Sequence, residues 1–182
     1  MSKAIGLIEF NTTPVGMEAT DAMLKASEVR LVFSSPICPG KYITLVTGEV
    51  DAVRTAIAKG EGTGGIFALD AHVLPNVHPS VVPALTATSE WEDVRSLGVV
   101  ETICAVAAVR AGDIAAKAAN VRLLEIRLAR GLGGKGILLL TGDLGSVESS
   151  VEACRRQLGT EGGIASAVVI AAPHKALVSA LL

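Results

Sequence analysis

The chain reads as short apolar blocks separated by turn residues. Ala4 to Phe10 is apolar and compatible with a strand. Thr12-Thr13-Pro14 offers a helix cap followed by proline in the first turn. Val15 to Ser27 carries Met17, Ala22, Met23 and Ala26 at helical spacing, which predicts a helix. Val29 to Phe33 and Tyr42 to Thr47 are β-rich runs around a turn that contains Pro36, Pro39 and Gly40. Val50 to Lys59 predicts a second helix, with Val50, Val53 and Ile57 on one side and Gly60 as its stop. Ile66 to Leu74 is a last strand, and Pro79 to Leu85 a short tail helix. The order βαββαβ is that of the split ferredoxin-like unit, an α+β fold whose antiparallel sheet is covered by helices on one face.

The pattern then repeats. A shift of 92 lays Ile5-Gly6-Leu7-Ile8-Glu9 on Leu97-Gly98-Val99-Val100-Glu101, and Asp21–Val32 on Asp113–Leu124 with six of twelve pairs identical. A shift of 94 aligns Gly40-Lys41 with Gly134-Lys135, and Thr47-Gly48-Glu49-Val50 with Thr141-Gly142-Asp143-Leu144. A shift of 96 puts His78 on His174. The drift marks short insertions, which loops tolerate. The second copy predicts elements at Leu97–Thr102, Val106–Ala118, Val121–Leu128, Gly136–Gly142, Leu144–Leu158, Ile164–Ala172 and His174–Leu181. Two tandem domains follow, 1–90 and 91–182, joined near Thr88 to Arg95. That linker is polar apart from Trp91, which is expected to lie against a domain face.

Composition narrows the class. Half of the 182 residues are hydrophobic and 19% are charged, so a packed core is within reach. Aromatics are only 3%, which suits thin layers of small aliphatic side chains. A net charge of −2 offers no basic footprint for nucleic acid. No apolar run nears the roughly 20 residues that span a bilayer. Met1-Ser2-Lys3-Ala4-Ile5-Gly6 lacks the pattern of a signal peptide. The mean hydropathy of +0.52 is read as subunit interface in a cytoplasmic protein. Three cysteines without a Cys-x-x-Cys pair argue against a disulfide framework or a zinc site within one chain.

Several motifs mislead. Gly60-Glu61-Gly62-Thr63-Gly64-Gly65 resembles a phosphate loop but follows a helix and precedes a strand, the reverse of the dinucleotide arrangement. Gly131-Leu132-Gly133-Gly134-Lys135-Gly136 lacks the Walker spacing and joins two strands. Glu9 and Glu101 sit at matching strand ends and read as duplicated structural carboxylates rather than an acid/base pair. His72, His78 and His174 share no metal-ligand spacing; capping or interface roles fit them better. Cys104 and Cys154 read as buried thiols. No Ser-His-Asp arrangement is visible, and no enzymatic activity is expected.

One stretch stands apart: Ser34-Ser35-Pro36-Ile37-Cys38-Pro39-Gly40-Lys41. A cysteine between two prolines at a hairpin tip is held rigidly and projects away from the strands. A turn cysteine of no consequence is the plain alternative. The repeated Gly-x-x-Glu strand, Asp-Ala-Met-Leu-Lys-Ala at 21–26, the Thr-Gly-Glu-Val turn at 47–50 and the Pro-His tail resemble the bacterial microcompartment shell domain, in both copies. Two unpermuted copies resemble the tandem-domain, trimer-forming shell subunits. Ile37-Cys38-Pro39-Gly40-Lys41, present in the first copy only, is similar to the iron–sulfur type of the propanediol-utilisation shell.

That resemblance implies a homotrimer shaped as a flat pseudohexameric tile, built into a shell with other shell proteins. It implies a central pore lined by Pro36, Ile37, Cys38, Pro39, Leu132 and Gly133, and one 4Fe–4S cluster per trimer bound by Cys38 from three subunits. A lone cysteine cannot hold such a cluster, whereas threefold symmetry turns one thiolate into three. An encapsulated or cytoplasmic redox protein would then be a partner, and neither nucleic acid nor membrane would be. Lys25 and Lys117 match the family's tile-edge lysine. Ala172 before Pro173-His174, and Asn76-Val77 before His78, depart from the arginine frequent there, so weak edge packing in a mixed shell is expected. Two other readings stay open: a cluster-free pore passing small metabolites, and a ferredoxin-like small-molecule sensor, since this fold hosts many functions.

Overall fold

The computed structural model describes residues 4–129 and 131–181. The expectation of no leader at Met1–Lys3 lies outside these residues. Contacts divide the chain into two compact units, with the division between Val77 and His78.

The first unit runs β1 (Ala4–Phe10), α1 (Thr13–Ala26), β2 (Arg30–Ile37), β3 (Lys41–Gly48), α2 (Val50–Gly64) and β4 (Ala68–Leu74). Its sheet has the order β2-β3-β1-β4, antiparallel throughout. This is the expected split βαββαβ topology. Central strand β1 is buried along its whole length. Ala4, Ile8 and Phe10 join Tyr42 and Val46 of β3, Ala19 and Met23 of α1, and Val53, Ala56 and Ile57 of α2 in one core. Gly6 belongs to the same face: a side chain there would meet Ile57 and Val53 at 2.7 Å.

Three local expectations are corrected. Thr12 holds the N-cap position of α1, yet its side chain makes no capping hydrogen bond; its carbonyl accepts the Gly16 N–H at 3.1 Å instead. Helix α2 does not stop at Gly60. It continues through the glycine-rich stretch to Gly64 and ends at Gly65, with φ +53. Gly60 is buried where a Cβ would lie 2.7 Å from Met23 Sδ, so it permits close approach of α1 and α2 rather than termination. Strand β2 extends past Phe33 to Ile37 and carries Pro36, which an edge strand tolerates because no ladder bond is needed on its outer side.

The second unit opens with the short helix α3 (Val81–Leu85) and continues β5 (Ser96–Thr102), α4 (Ala105–Ala118), β6 (Arg122–Leu128), β7 (Gly136–Gly142), α5 (Leu144–Leu158), β8 (Ile164–Ala171) and α6 (Lys175–Leu181). Its sheet has the matching order β6-β7-β5-β8. The expected tail helix of the first copy therefore packs in the second unit, against β6 and α4. The His78 N–H anchors it by donating to Asp113 Oδ1 at 2.8 Å. Trp91 lies against a domain face as expected: with Val94 and Leu181 it covers Leu97, Leu124 and Leu139. Among the described residues no helix is long and apolar enough to cross a membrane.

Candidate functional site: two unequal hairpins

The repeat places two hairpins at equivalent positions, and they differ. In the first, Ile37 pairs with Lys41, and only Cys38, Pro39 and Gly40 form the turn. The Cys38–Pro39 peptide is cis, and Gly40 takes φ +67, a left-handed conformation that glycine adopts without a Cβ penalty. Pro36, Cys38 and Pro39 are exposed, and Cys38 is a free thiol. Ile37, also expected among the lining residues, is 5% exposed in the single chain. The cause is strand alternation: Pro36 and Ile37 lie on opposite faces of β2, and only one of them can face outward.

The second hairpin has a seven-residue loop, 129–135, between Leu128 and Gly136. Ala129, Gly131, Gly133 and Gly134 all take positive φ. The Ala129 N–H donates to the Lys135 carbonyl at 3.0 Å, and the Lys135 N–H to the Leu132 carbonyl at 3.1 Å. Leu132 is half-buried and Gly133 exposed. Glycine density and loop length thus make this hairpin the more pliable of the two.

Each hairpin is tied at its base by an ion pair. Lys41 Nζ lies 3.0 Å from Glu9 Oε2, and Lys135 Nζ lies 3.2 Å from Glu101 Oε2. The duplicated carboxylates are therefore structural, as expected. The two pairs differ in environment: the Glu9 side chain is 4% exposed, that of Glu101 30%.

Behind the first hairpin lies a hydroxyl cluster that sequence reading missed. Ser34 Oγ donates to Tyr42 Oη at 2.9 Å and lies 3.1 Å from Thr44 Oγ1, which lies 2.6 Å from Thr20 Oγ1. Thr20 Oγ1 in turn donates to the Gly16 carbonyl at 2.6 Å. The available signal was the polar residues Thr20, Ser34 and Thr44 at inward-facing positions of otherwise apolar elements. The second copy carries Gly112, Ile126 and Leu138 in those places.

The remaining candidates fall away from the hairpins. Cys154 is buried, its thiol pushed up to about 12 by desolvation, with Sγ 3.4 Å from the Ala111 carbonyl. Cys104, expected to be buried, is half-buried at the N-cap position of α4. His78 and His174 act as caps: each ring Nδ1 accepts the backbone N–H two residues on, from Ser80 at 3.3 Å and from Ala176 at 3.2 Å. His72 pairs with Asp70 at 2.8 Å. Lys25 bonds Asp21, and Lys117 bonds Asp113, each at 2.6 Å. Among the described residues no group of three or more His, Cys, Asp or Glu could hold a metal within one chain. Cys38 fits a metal as a single exposed thiolate donor, so any cluster there needs sulfurs from other chains.

Comparisons with known proteins agree with this architecture. The BMC domain family matches residues 4–77 and again 96–173. The bacterial microcompartment shell protein PduT of Citrobacter freundii is 40% identical over 177 residues, 97% of this chain and 96% of that protein. The carboxysome shell protein CsoS1A of Hydrogenovibrio crunogenus is 44% identical over 89 residues, covering 46% of this chain but 90% of its own length, as expected of a single-copy relative. The crystal structure of a microcompartments protein from Desulfitobacterium hafniense DCB superposes with a TM-score of 0.93 at 43% identity, over 96% of this chain and 97% of that one. With a doubled fold, a doubled family match and near-complete overlap with a microcompartment shell protein, this chain belongs to the bacterial microcompartment shell family, as two tandem BMC domains.

Proposed function

We propose that this shell protein forms a homotrimeric pseudohexameric tile in a cytoplasmic microcompartment, alongside other shell proteins, and that Cys38 from three subunits holds one 4Fe–4S cluster in the central pore. The observation that carries this reading is the exposed Cys38 thiol on a short, proline-framed turn in the first copy only. Its likeness to PduT over nearly the whole chain supports it. Three thiolates would leave one iron without a protein sulfur, open to water, a small thiol or a partner. When bound, the cluster supplies one-electron transfer, so the tile would serve as an electron conduit or a cluster-delivery point across the shell rather than as a catalyst. Pro36, Pro39 and Gly40 would hold the sulfur in place, and Leu132 and Gly133 would alternate with Cys38 around the pore. Exposed Lys25 and Lys117 would meet neighbouring tiles.

Protein purified without oxygen decides the matter by visible spectrum, iron and sulfide content, and mass in solution. The expected result is a brown trimer with about four irons per three chains. Cys38→Ser should abolish the iron and leave the trimer intact. Iron that persists in Cys38→Ser would overturn the ligand assignment. A colourless wild-type trimer would favour a metabolite pore, and a monomer or dimer would favour a small-molecule sensor.

A further inference from the structure

The repeat leaves one pair of equivalent surfaces unequally covered. In the second unit α3 packs against β6 and α4, and its His78 N–H donates to Asp113 Oδ1 at 2.8 Å. Val81 and Ala84, three apart on one face of α3, are buried there. The matching helix of the second copy is α6, where a shift of 96 puts Leu177 and Ala180 at those two positions. Both are exposed, and no residue of α6 is buried. Leu181, at its end, rests on the Leu97 cluster of its own unit. The two helices begin alike: the His78 and His174 carbonyls accept the N–H three residues on, at 3.0 and 2.9 Å. A helix of seven residues is marginal in water without packing, so α6 calls for a surface that covers its apolar face.

The first unit holds the counterpart of the seat that α3 occupies. A shift of 92 lays α1 and β2 on α4 and β6. Val109 is 0% exposed and its equivalent Met17 54%; Leu123 is 1% exposed and its equivalent Leu31 40%. Asp113 is half-buried, whereas Asp21 is exposed. Met17, Asp21 and Leu24 stand at i, i+4 and i+7 of α1, one stripe along the helix, and all three are exposed. Asp21 Oδ2 accepts from the Lys25 ammonium at 2.6 Å, as Asp113 Oδ2 does from that of Lys117, so the two carboxylates are set alike.

We infer that α6 docks on this α1/β2 surface of a second copy of the chain, seated as α3 is on α4 and β6, with the His174 N–H donating to Asp21 of that copy. The contact joins unlike surfaces, so it passes from chain to chain and closes when the third copy meets the first. The inference deepens the reading of the protein as a homotrimer and rests on it, but not on the cluster.

The test uses the full chain with Cys38→Ser, which removes the exposed thiol, and adds His174→Cys, Asp21→Cys or both. A short bismaleimide joins the two new thiols where they lie side by side. The double variant should give covalent dimers and trimers on a denaturing gel, and neither single variant should. A product of single-chain mass joined at both positions would put α6 on its own first unit and overturn the inference. Absence of any joined product from protein that runs as a trimer would overturn it too. Leu177→Asp and Leu31→Asp, each in otherwise wild-type protein, give a second reading. Each should raise the concentration at which half the trimer dissociates by about tenfold or more, since each removes a covered leucine from all three contacts. An unchanged midpoint for either variant overturns the docking while leaving the trimer in place. A wild-type chain that stays monomeric sinks the homotrimer reading and the docking with it, whereas an iron-free trimer sinks only the cluster.

Discussion

Thr20 Oγ1 lies 2.6 Å from Thr44 Oγ1, joining helix α1 to strand β3 beneath the Cys38 hairpin. Both side chains are buried, and Ser34 and Tyr42 complete the hydrogen-bonded set. A buried network of this kind is stabilising only while every member is satisfied. Thr44→Val should cost about 1 kcal/mol and Thr20→Val about 1–2 kcal/mol, since Thr20 also bonds the Gly16 carbonyl. The double variant should cost less than the sum, because it removes both members of the pair. Urea unfolding of the four proteins measures the coupling, and strict additivity would show that the threonines act independently.

Two helix glycines should respond oppositely to alanine. At Gly16 a Cβ would sit 2.4 Å from Tyr42 Cδ1, against a ring that cannot bend aside. Gly16→Ala should therefore destabilise by about 1–3 kcal/mol. At Gly62, inside α2, nothing lies within 4 Å of the added methyl. Gly62→Ala should stabilise by about 0.5–1 kcal/mol, by restricting the unfolded chain. Thermal melts of both variants against wild type check the two signs together.

The Cys154 thiol sets an alkaline limit. Burial raises it from 9.0 to about 12. Its contribution to stability is fully present below pH 9, where the thiol is protonated in both states. Above that the unfolded chain releases the proton first, and the contribution is lost up to about pH 12. Wild type should thus lose stability more steeply than Cys154→Ala across this window, by up to one proton in the slope. Denaturant titrations at several pH values give the two slopes, and parallel slopes would show that the thiol ionises freely in the folded state.

Ala172 carries φ +45, a left-handed conformation that disfavours a Cβ, and its N–H donates to the Arg95 carbonyl at 3.1 Å. The equivalent residue of the first copy, Asn76, has φ +53 and a side chain that tolerates this region. Ala172→Gly and Ala172→Asn should each raise stability by about 0.5–1 kcal/mol. A fall in melting temperature for both would mean that the alanine methyl makes a contact worth more than the strain.

Much of the architecture was legible because the chain repeats itself. Matching periods in two copies gave each strand and helix two independent readings, and β1, β7 and α5 begin and end where the apolar pattern does. The turn at Cys38 was legible too, since proline and glycine restrict the backbone before any tertiary contact forms. The proposal of Cys38 as a cluster ligand rests on that rigidity together with the resemblance. The hydroxyl cluster was not legible, because Thr20, Ser34 and Thr44 are far apart in the chain and none is unusual alone.

By itself the sequence determined the doubled βαββαβ order, the two hairpins and the restriction of the cysteine to one of them. These features depend on local backbone preference and on periodicity, which act over a few residues. Tertiary structure alone decided that α2 runs through Gly60, that Ile37 turns inward, that the tail helix packs in the second unit and that Glu9 takes Lys41. A glycine inside a helix costs only about 1 kcal/mol, which the close packing of Gly60 against Met23 readily outweighs. Such outcomes are set by which distant surfaces meet, and no window of neighbouring residues carries that information.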